Sequence, residues 1–320
     1  MKGGSIDPND DAGRAAPRAV ANDAANEKLL RVERVAALGD PRLADYRNLK
    51  DAALLRDRGR FVVEGRANLL VLLERSHMRP ESILLSEAAF GALGADLARL
   101  AGGVPIFVAD QSVLDGVVGF SVHRGALAAC PRPPSTEPEV LAREVLDRFD
   151  APRVVVLEDV RDADNVGAIF RNAMALGARA VFLGGHSCDP LYRKAIRTSI
   201  GGSLCVPFAR TEDAPAFLGR LREFGFAVLA FDPKETGHEV DSLRHDRPGP
   251  AALVVGTEGP GLTAAALAQA SRRIRIAMEP GVDSLNVATA VAIGLHALRP
   301  PADPSGGQSE VRSAGGSRGE

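Results

Sequence analysis

Three short segments of the chain combine polar side chains with glycines, and each follows an apolar run. They span residues 162–172, 256–262 and 279–286. The polar side chains that could do chemistry are Asn165 and Arg171 in the first segment, Glu258 in the second, and Ser284 and Asn286 in the third. A guanidinium can clamp phosphate or other oxygen ligands, and amides and hydroxyls can bind ribose or amino-acid groups. This set therefore favours a site for a polar organic ligand.

Two of these segments also admit a purely structural interpretation. Asn165 stands where a helix should begin and could be its N-cap. Arg171 is flanked by alanines at helical spacing and could simply face solvent. In the third segment Ser284 or Asn286 could cap the helix that follows. From these residues alone, both interpretations stay open.

The glycine-rich segment 256–262 does not match a nucleotide fingerprint. Its pattern is GxxGxG rather than GxGxxG, it follows a late strand, and it lacks GK[ST]. Its glycines still permit positive φ and a close backbone approach to a ligand. The structural alternative is a simple turn before a helix capped by Thr263. The carboxylate of Glu258 within the turn favours a functional role for this segment instead.

The cysteines do not indicate a disulfide framework or a metal site. Cys130, Cys188 and Cys205 are odd in number, widely spaced and without a CxxC pair. His186 beside Cys188 gives at most two neighbouring ligands, which is too few for a zinc site. We therefore expect no bound metal.

The second half of the chain alternates apolar strands with helical runs, which predicts an α/β fold with a parallel sheet covered on both faces. The predicted strands are 153–158, 179–184, 204–209, 226–232, 252–257 and 273–278. The predicted helices are 165–177, 190–200, 213–224, 262–271 and 286–298. Because ligands of such sheets bind at the carboxyl ends of the strands, we expect the three polar segments to meet at one edge.

The first half predicts a smaller α/β unit, with strand candidates at 60–65, 82–86 and 104–110. A proline-dense stretch separates the two halves. The predicted organisation is a disordered tail at 1–28, a first domain at 29–130, a linker at 131–150, a second domain at 151–299 and a disordered tail at 300–320.

Charge and hydropathy narrow the class of protein. The 320-residue chain has 39 Lys and Arg against 41 Asp and Glu, a formal net charge of −2. This charge balance excludes a histone-like protein that coats a polyanion, although it is compatible with a local basic patch. The apolar stretch 284–298 is shorter than the roughly 20 residues of a membrane-spanning helix. The N-terminus has no signal-peptide core, so we expect a cytoplasmic protein without membrane contact.

Taken in order, the motifs NVGAIFRNA, VGTEGPGL and IxMxPGVDSLNVATA resemble the signatures of the SpoU (TrmH) family of RNA ribose 2′-O-methyltransferases. The resemblance covers about residues 150–299. It extends more weakly over 36–130 through FVVEG and GFSVHRGALA, which look like the family's ribosomal-protein-like substrate-binding domain. It implies a SPOUT-type parallel sheet with a C-terminal trefoil knot, preceded by a smaller α/β RNA-binding domain. It also implies S-adenosyl-L-methionine as cofactor and a homodimer.

The resemblance further implies roles for single residues. The implied catalytic residues are Arg171, Asn165, Glu258, Ser284 and Asn286. The implied cofactor-binding residues are Gly256, Glu258, Gly261, Ile276, Leu285 and Asn286. The expected RNA contacts are Arg193, Lys194 and Arg197, which are spaced to share one side of a helix, and Arg124, which stands where many members have glutamine.

The expected substrate is RNA, with 23S ribosomal RNA favoured over transfer RNA because the two-domain layout resembles members that act on ribosomal RNA. A non-catalytic RNA-binding or ribosome-assembly factor of the same fold is the alternative class, and intact Arg171, Glu258 and Asn286 argue against it. A Rossmann-type enzyme would need a glycine loop where EDVRDADNVG stands. A small-molecule methyltransferase would leave the first domain without a purpose.

Overall fold

The computed structural model describes residues 30–47, 57–120, 122, 125–233 and 237–299, and these residues form two β-sheets. The predicted tails at 1–28 and 300–320, and Arg124, lie outside the described residues. Within the described ranges, no helix is long and apolar enough to cross a membrane.

The first sheet has five strands in the order β1-β4-β3-β5-β2. The strands are β1 (Val32–Arg34), β2 (Arg60–Glu64), β3 (Ser82–Ser86), β4 (Ile106–Ala109) and β5 (Ala126–Pro131). Strand β5 runs antiparallel to β2 and β3, and the other pairs are parallel. The helices of this part are α1 (Arg66–Arg75), α2 (Glu87–Leu100) and α3 (Gln111–Val118), together with the 3-10 helix Pro41–Tyr46. Alternate strand residues such as Phe61 and Val62 enter separate cores on the two faces.

The second sheet has seven strands in the order β10-β12-β9-β11-β6-β7-β8, and all of its pairs are parallel. The strands are β6 (Arg153–Glu158), β7 (Ala180–Gly184), β8 (Phe208–Thr211), β9 (Ala227–Phe231), β10 (His238–Glu239), β11 (Ala251–Gly256) and β12 (Arg272–Arg275). The helices are α4 (Pro138–Arg148), α5 (Ala163–Leu176), α6 (Arg193–Ser199), α7 (Gly202–Cys205), α8 (Ala214–Glu223), α9 (Ala264–Ala268) and α10 (Val287–Ala297), with a 3-10 helix at Val240–Arg244.

Both faces of this sheet are covered, which confirms the predicted α/β architecture. Residues 154–158 of β6 are all buried, as expected for a central parallel strand. Helices α5 and α10 contribute to the core on one face, and α4 and α8 to the core on the other. The trefoil knot that the resemblance implies stays a prediction.

Two segments differ from the sequence-based expectation. Residues 204–209 do not form one strand, because α7 occupies Gly202–Cys205 and β8 begins only at Phe208. The backbone carbonyl of Leu204 instead accepts a hydrogen bond from Ser76 Oγ of the first part at 2.6 Å. The expected linker 131–150 contains α4, whose Leu141, Ala142 and Val145 are buried against the second sheet. The division into domains therefore stays a prediction, with residues 132–137 as the stretch without helix or strand.

Gly167 lies where α5 crosses α6 at close range. A Cβ added there would lie 2.6 Å from the Ala195 carbonyl oxygen and 2.8 Å from Thr198 Cβ. Contacts this short with backbone cannot be relieved by rotating a side chain, so the glycine permits the close helix crossing.

We predict that Gly167→Ala lowers the free energy of unfolding by about 1–3 kcal/mol, the usual effect of overpacking. Gly91 is the matched control, because it lies in α2 and a Cβ there would meet nothing within 4 Å. Gly91→Ala should raise stability by about 0.5–1 kcal/mol through helix propensity. Urea unfolding curves of the two variants check this, and equal stabilisation by both would contradict the close crossing.

Candidate functional site

The three polar segments meet at the carboxyl-end edge of the second sheet. Asn165 lies in the first turn of α5, Glu258 follows β11, and Asn286 precedes α10. Asn165 Nδ2 donates to Glu258 Oε1 at 2.9 Å, and Asn286 Nδ2 donates to Asn165 Oδ1 at 2.7 Å and to Glu258 Oε1 at 3.2 Å. These three residues form what we call the amide–carboxylate network. Sequence reasoning selected all three.

The direction of each hydrogen bond in the network follows from helix α10. Asn286 Oδ1 accepts from the backbone N–H groups of Ala288 and Thr289, at 3.0 and 3.3 Å, and so caps the helix. Because that oxygen must face the helix, Asn286 Nδ2 faces the network. Asn165 must then present its oxygen to Asn286 and its amide nitrogen to Glu258. Both asparagine orientations are therefore fixed by hydrogen bonding.

The structural alternatives raised by the sequence resolve differently at each position. Asp162, not Asn165, caps α5, since Asp162 Oδ1 accepts from the Asn165 backbone N–H at 2.9 Å. The capping interpretation of Asn165 is therefore wrong, and its side chain is available to the network. Asn286 is both a cap and a network member. Thr263 caps α9, as the sequence indicated.

The turn that carries Glu258 depends on two glycines. Gly259 and Gly261 have φ of 89° and 74°, in the left-handed region that other residues seldom adopt. The Gly261 N–H donates to the Thr257 carbonyl at 3.1 Å and closes the turn. A Cβ at Gly256 would lie 2.4 Å from the Gly261 carbonyl, so the backbone passes too closely for any side chain.

Glu158 anchors the far end of this turn, and sequence reasoning missed it. Its side chain is buried at the end of β6 and accepts from Thr263 N at 2.8 Å and from Thr263 Oγ1 at 2.7 Å. A charged residue that ends an otherwise apolar strand was the available signal.

A cavity of about 630 Å³ adjoins the network. Every residue of the expected cofactor set lines it, and these are Gly256, Glu258, Gly261, Ile276, Leu285 and Asn286. Ser284 lines it too, as do the apolar side chains of Val255, Ile274 and Met278. Leu285 is 40% exposed, which is unusual for so large an apolar side chain. The cavity thus combines apolar walls with one polar wall, to which the network contributes Glu258 and Asn286. Asn165 is not among the described residues that line it and contacts Glu258 from behind.

Arg171 does not join this cluster within the chain. It is exposed on α5 and follows Asn165 by six residues, which places it about 9 Å along the helix and about 120° around it. It is not among the described residues that line the cavity, and the described part of the chain offers it no hydrogen-bond or ion-pair partner.

The three residues of α6 that were expected to contact RNA have different surroundings. Arg193 Nη1 donates to Glu64 Oε2 of β2 at 2.8 Å, and its side chain is only 18% exposed. Lys194 Nζ lies 2.8 Å from Asp164 Oδ2, and this hydrogen bond lowers the pKa of Asp164. Arg197 is exposed. The three residues lie within about 100° of one another around α6, as their spacing predicted. Arg193 is nevertheless held by the first sheet, and RNA contact by the three stays a prediction.

The double role of Asn286 can be tested by changing its oxygen and nitrogen separately. The carboxylate of Asn286→Asp still accepts the two helix N–H groups, so the cap persists. It also sets a second negative charge beside Glu258, which raises the pKa of the carboxyl pair. Stability from a raised pKa is lost as pH rises through it, so we predict a deficit that grows between about pH 4 and pH 7.

Asn286→Ala is the matched variant, because it loses the cap and the network without adding charge. Its deficit relative to the unmodified chain should change less between the two pH values, because it loses one hydrogen bond to the Glu258 carboxylate and gains no second negative charge. Urea midpoints at the two pH values provide the measurement. A pH-independent deficit in Asn286→Asp would contradict the contact with Glu258.

Comparison with known proteins assigns the family. The model of the SpoU rRNA Methylase family matches residues 152–296. A protein of Mycobacterium tuberculosis named uncharacterized tRNA/rRNA methyltransferase is 41% identical over 274 residues, covering 83% of this chain and 91% of the relative. The 23S rRNA (guanosine-2′-O-)-methyltransferase RlmB of Photorhabdus laumondii is 30% identical over 195 residues, covering 60% of this chain and 78% of RlmB.

A solved structure shows the same fold. The AdoMet-bound rRNA methyltransferase of Sinorhizobium meliloti superposes with a TM-score of 0.69 at 23% identity, covering 84% of this chain and 98% of that one. The family motifs, the extent of the match to the mycobacterial relative and the shared fold agree, and the chain belongs to the SpoU family of RNA methyltransferases.

Proposed function

We propose that this protein transfers a methyl group from S-adenosyl-L-methionine to a ribose 2′-hydroxyl of RNA, and that the RNA is 23S ribosomal RNA. The observation that carries the proposal is the cavity at the carboxyl-end edge of the second sheet, with Glu258 and Asn286 of the amide–carboxylate network in its polar wall. The RlmB relative, named for 2′-O-methylation of guanosine in 23S rRNA, supports the ribose and the RNA class.

The cavity fits the proposed cofactor in size and chemistry. Its volume of about 630 Å³ lies within the range of small-molecule sites. The glycine-rich turn brings backbone against one side, where Gly256 leaves no room for a Cβ. Leu285 and Ile276 provide apolar surface for an adenine or a methionine chain. When bound, S-adenosyl-L-methionine would supply a methyl group on a positively charged sulfonium, whose sulfur is a good leaving group because it departs as a neutral thioether.

The residues of the chain then bind the cofactor and orient the 2′-hydroxyl of the RNA. Glu258 is held by two amide donors on one carboxylate oxygen, so its position at the cavity wall is fixed before any ligand arrives. Fixed geometry of this kind lowers the entropic cost of bringing the 2′-hydroxyl into line. Ser284 adds a hydroxyl to the same wall.

Arg171 is proposed to clamp phosphate or ribose oxygens of the RNA. A guanidinium is a poor general base at neutral pH, but its planar fork binds two oxygens at once. The proton of the methylated hydroxyl then leaves to phosphate, water or another group. Since Arg171 lies away from the cavity of its own chain, we propose that it serves the cavity of a second protomer. The active form is then a homodimer in which both chains contribute to each site.

We predict that Arg171→Ala abolishes methyl transfer and that Arg171→Lys is nearly as damaging, because one ammonium cannot reproduce the fork. The assay supplies labelled S-adenosyl-L-methionine and total RNA from a strain that lacks the gene, followed by sizing of the RNA and identification of the nucleosides. Arg222→Ala is the control, since Arg222 is exposed on α8.

The outcomes of this assay separate the alternatives. Label in a 2′-O-methylated nucleoside of 23S rRNA supports the proposal, and label in transfer RNA moves the substrate to that class. Label on a base would contradict the proposal that the methyl group goes to the ribose 2′-hydroxyl. Cofactor binding with no labelling of naked or ribosomal RNA would favour a non-catalytic RNA-binding factor. Substantial methyl transfer by Arg171→Lys would contradict the proposal that Arg171 clamps RNA oxygens with both arms of its guanidinium.

The shared site predicts complementation between two inactive variants. In a mixture of Arg171→Ala and Glu258→Ala chains, half of the dimers are mixed. Each mixed dimer has one intact site only if Arg171 acts across the interface, so about a quarter of normal activity should return. Co-expression with two different affinity tags, followed by the methyl-transfer assay, measures this. No activity in the purified mixed dimer would place Arg171 and Glu258 in the same chain's site.

A further inference from the structure

A buried ion pair joins the two sheets and has no part in the proposed reaction. Arg193 of α6 donates to Glu64 at the end of β2 at 2.8 Å, and the two side chains are 18% and 7% exposed. The guanidinium carbon also lies 4.2 Å from the centre of the Phe120 ring. Arg193 is therefore held by a carboxylate and an aromatic ring, both from the first part of the chain.

The surroundings of this pair are apolar. Leu191, Ile196 and Leu204 belong to the same buried cluster as residues of the first sheet and its helices. Ser76 Oγ donates to the Leu204 carbonyl at 2.6 Å beside them. The segment 191–204, which includes α6 and α7, thus completes the core of the first sheet, although its sequence lies within the second half of the chain.

An adjoining side of α6 contacts the helix that carries the site. Lys194 and Thr198 both bind the carboxylate of Asp164, with distances of 2.8 and 2.9 Å. Asp164 directly precedes Asn165 of the amide–carboxylate network. Helix α6 therefore connects Glu64 of the first sheet to the first turn of α5 within a few residues.

We infer that Arg193 and Glu64 are positioning residues that hold the first sheet, and any RNA bound to it, at a fixed orientation to the amide–carboxylate network. This inference rests on the proposed function. A buried ion pair contributes little net stability relative to an apolar pair of similar size, because desolvation offsets the attraction. Its distinctive contribution is direction, since the charged hydrogen bond to Glu64 and the cation–π contact with Phe120 together restrict where the guanidinium can lie.

The test replaces the pair without unpacking it. Glu64→Leu/Arg193→Met keeps apolar volume and avoids leaving one buried charge unpaired. Glu64→Arg/Arg193→Glu exchanges the two partners. The matched control is Glu81→Leu/Arg60→Met, which removes an ion pair of 2.7 Å that lies wholly within the first part of the chain.

Two readouts are needed. The first is the distance distribution between spin labels at Ala95→Cys and Ala216→Cys, two exposed alanines on helices of the two parts, with Cys188→Ser and Cys205→Ser and dilution by unlabelled protein. The second is RNA methylation, measured as kcat and KM for RNA, together with the Kd of S-adenosyl-L-methionine.

The apolar pair should broaden the distance distribution and raise KM for RNA roughly tenfold, the size of a coupling in a buried network. Cofactor Kd should stay unchanged, the exchanged pair should restore most of the loss, and the control should behave like the unmodified chain. A narrow distribution with unchanged KM in the apolar pair would overturn the inference. Absence of methyl transfer in the unmodified chain would reject the proposed function, and the distances would still decide the positioning role.

Discussion

The orientation of one amide, that of Asn286, determines the polarity of the whole candidate site. Two backbone N–H groups at the start of α10 need an acceptor, and they bind its oxygen. The nitrogen is then forced towards Asn165 and Glu258, and each later hydrogen bond has only one possible direction. The polar wall of the cavity is consequently as rigid as the helix terminus that orients it.

The sequence predicted this site well because parallel sheets have a simple geometry. Apolar runs that alternate with helices place successive loops at one edge, and that rule alone brought Asn165, Glu258 and Asn286 together. Short-range capping chemistry was predicted less well. Both Asp162 and Asn165 are good N-cap residues, and only the structure shows that Asp162 takes the cap and leaves Asn165 to the network.

What the sequence could not predict depends on contacts between distant segments. Helical spacing correctly put Arg193 and Arg197 on α6, but spacing cannot say which side of a helix meets a buried carboxylate 129 positions away. The same holds for residues 204–206, whose apolar composition suits a strand. Leu204 instead lies in the short helix α7 and packs into the core of the first sheet, while Val206 packs into the core of the second. In both cases tertiary packing overrides the local pattern.

The three network residues differ in how many hydrogen-bonding groups they have left for a ligand. Within the described residues, Asn286 has both amide hydrogens donated and its oxygen accepting twice, so it has little capacity left for a ligand. Asn165 keeps one N–H and one lone pair, and Glu258 keeps its second oxygen. Ligand contacts from the cavity wall should therefore come mainly from the free oxygen of Glu258, with Asn286 and Asn165 holding that carboxylate in place. Arg171 lies outside the cavity of its own chain, and this placement is the reason for proposing that it acts on RNA at the cavity of a second protomer.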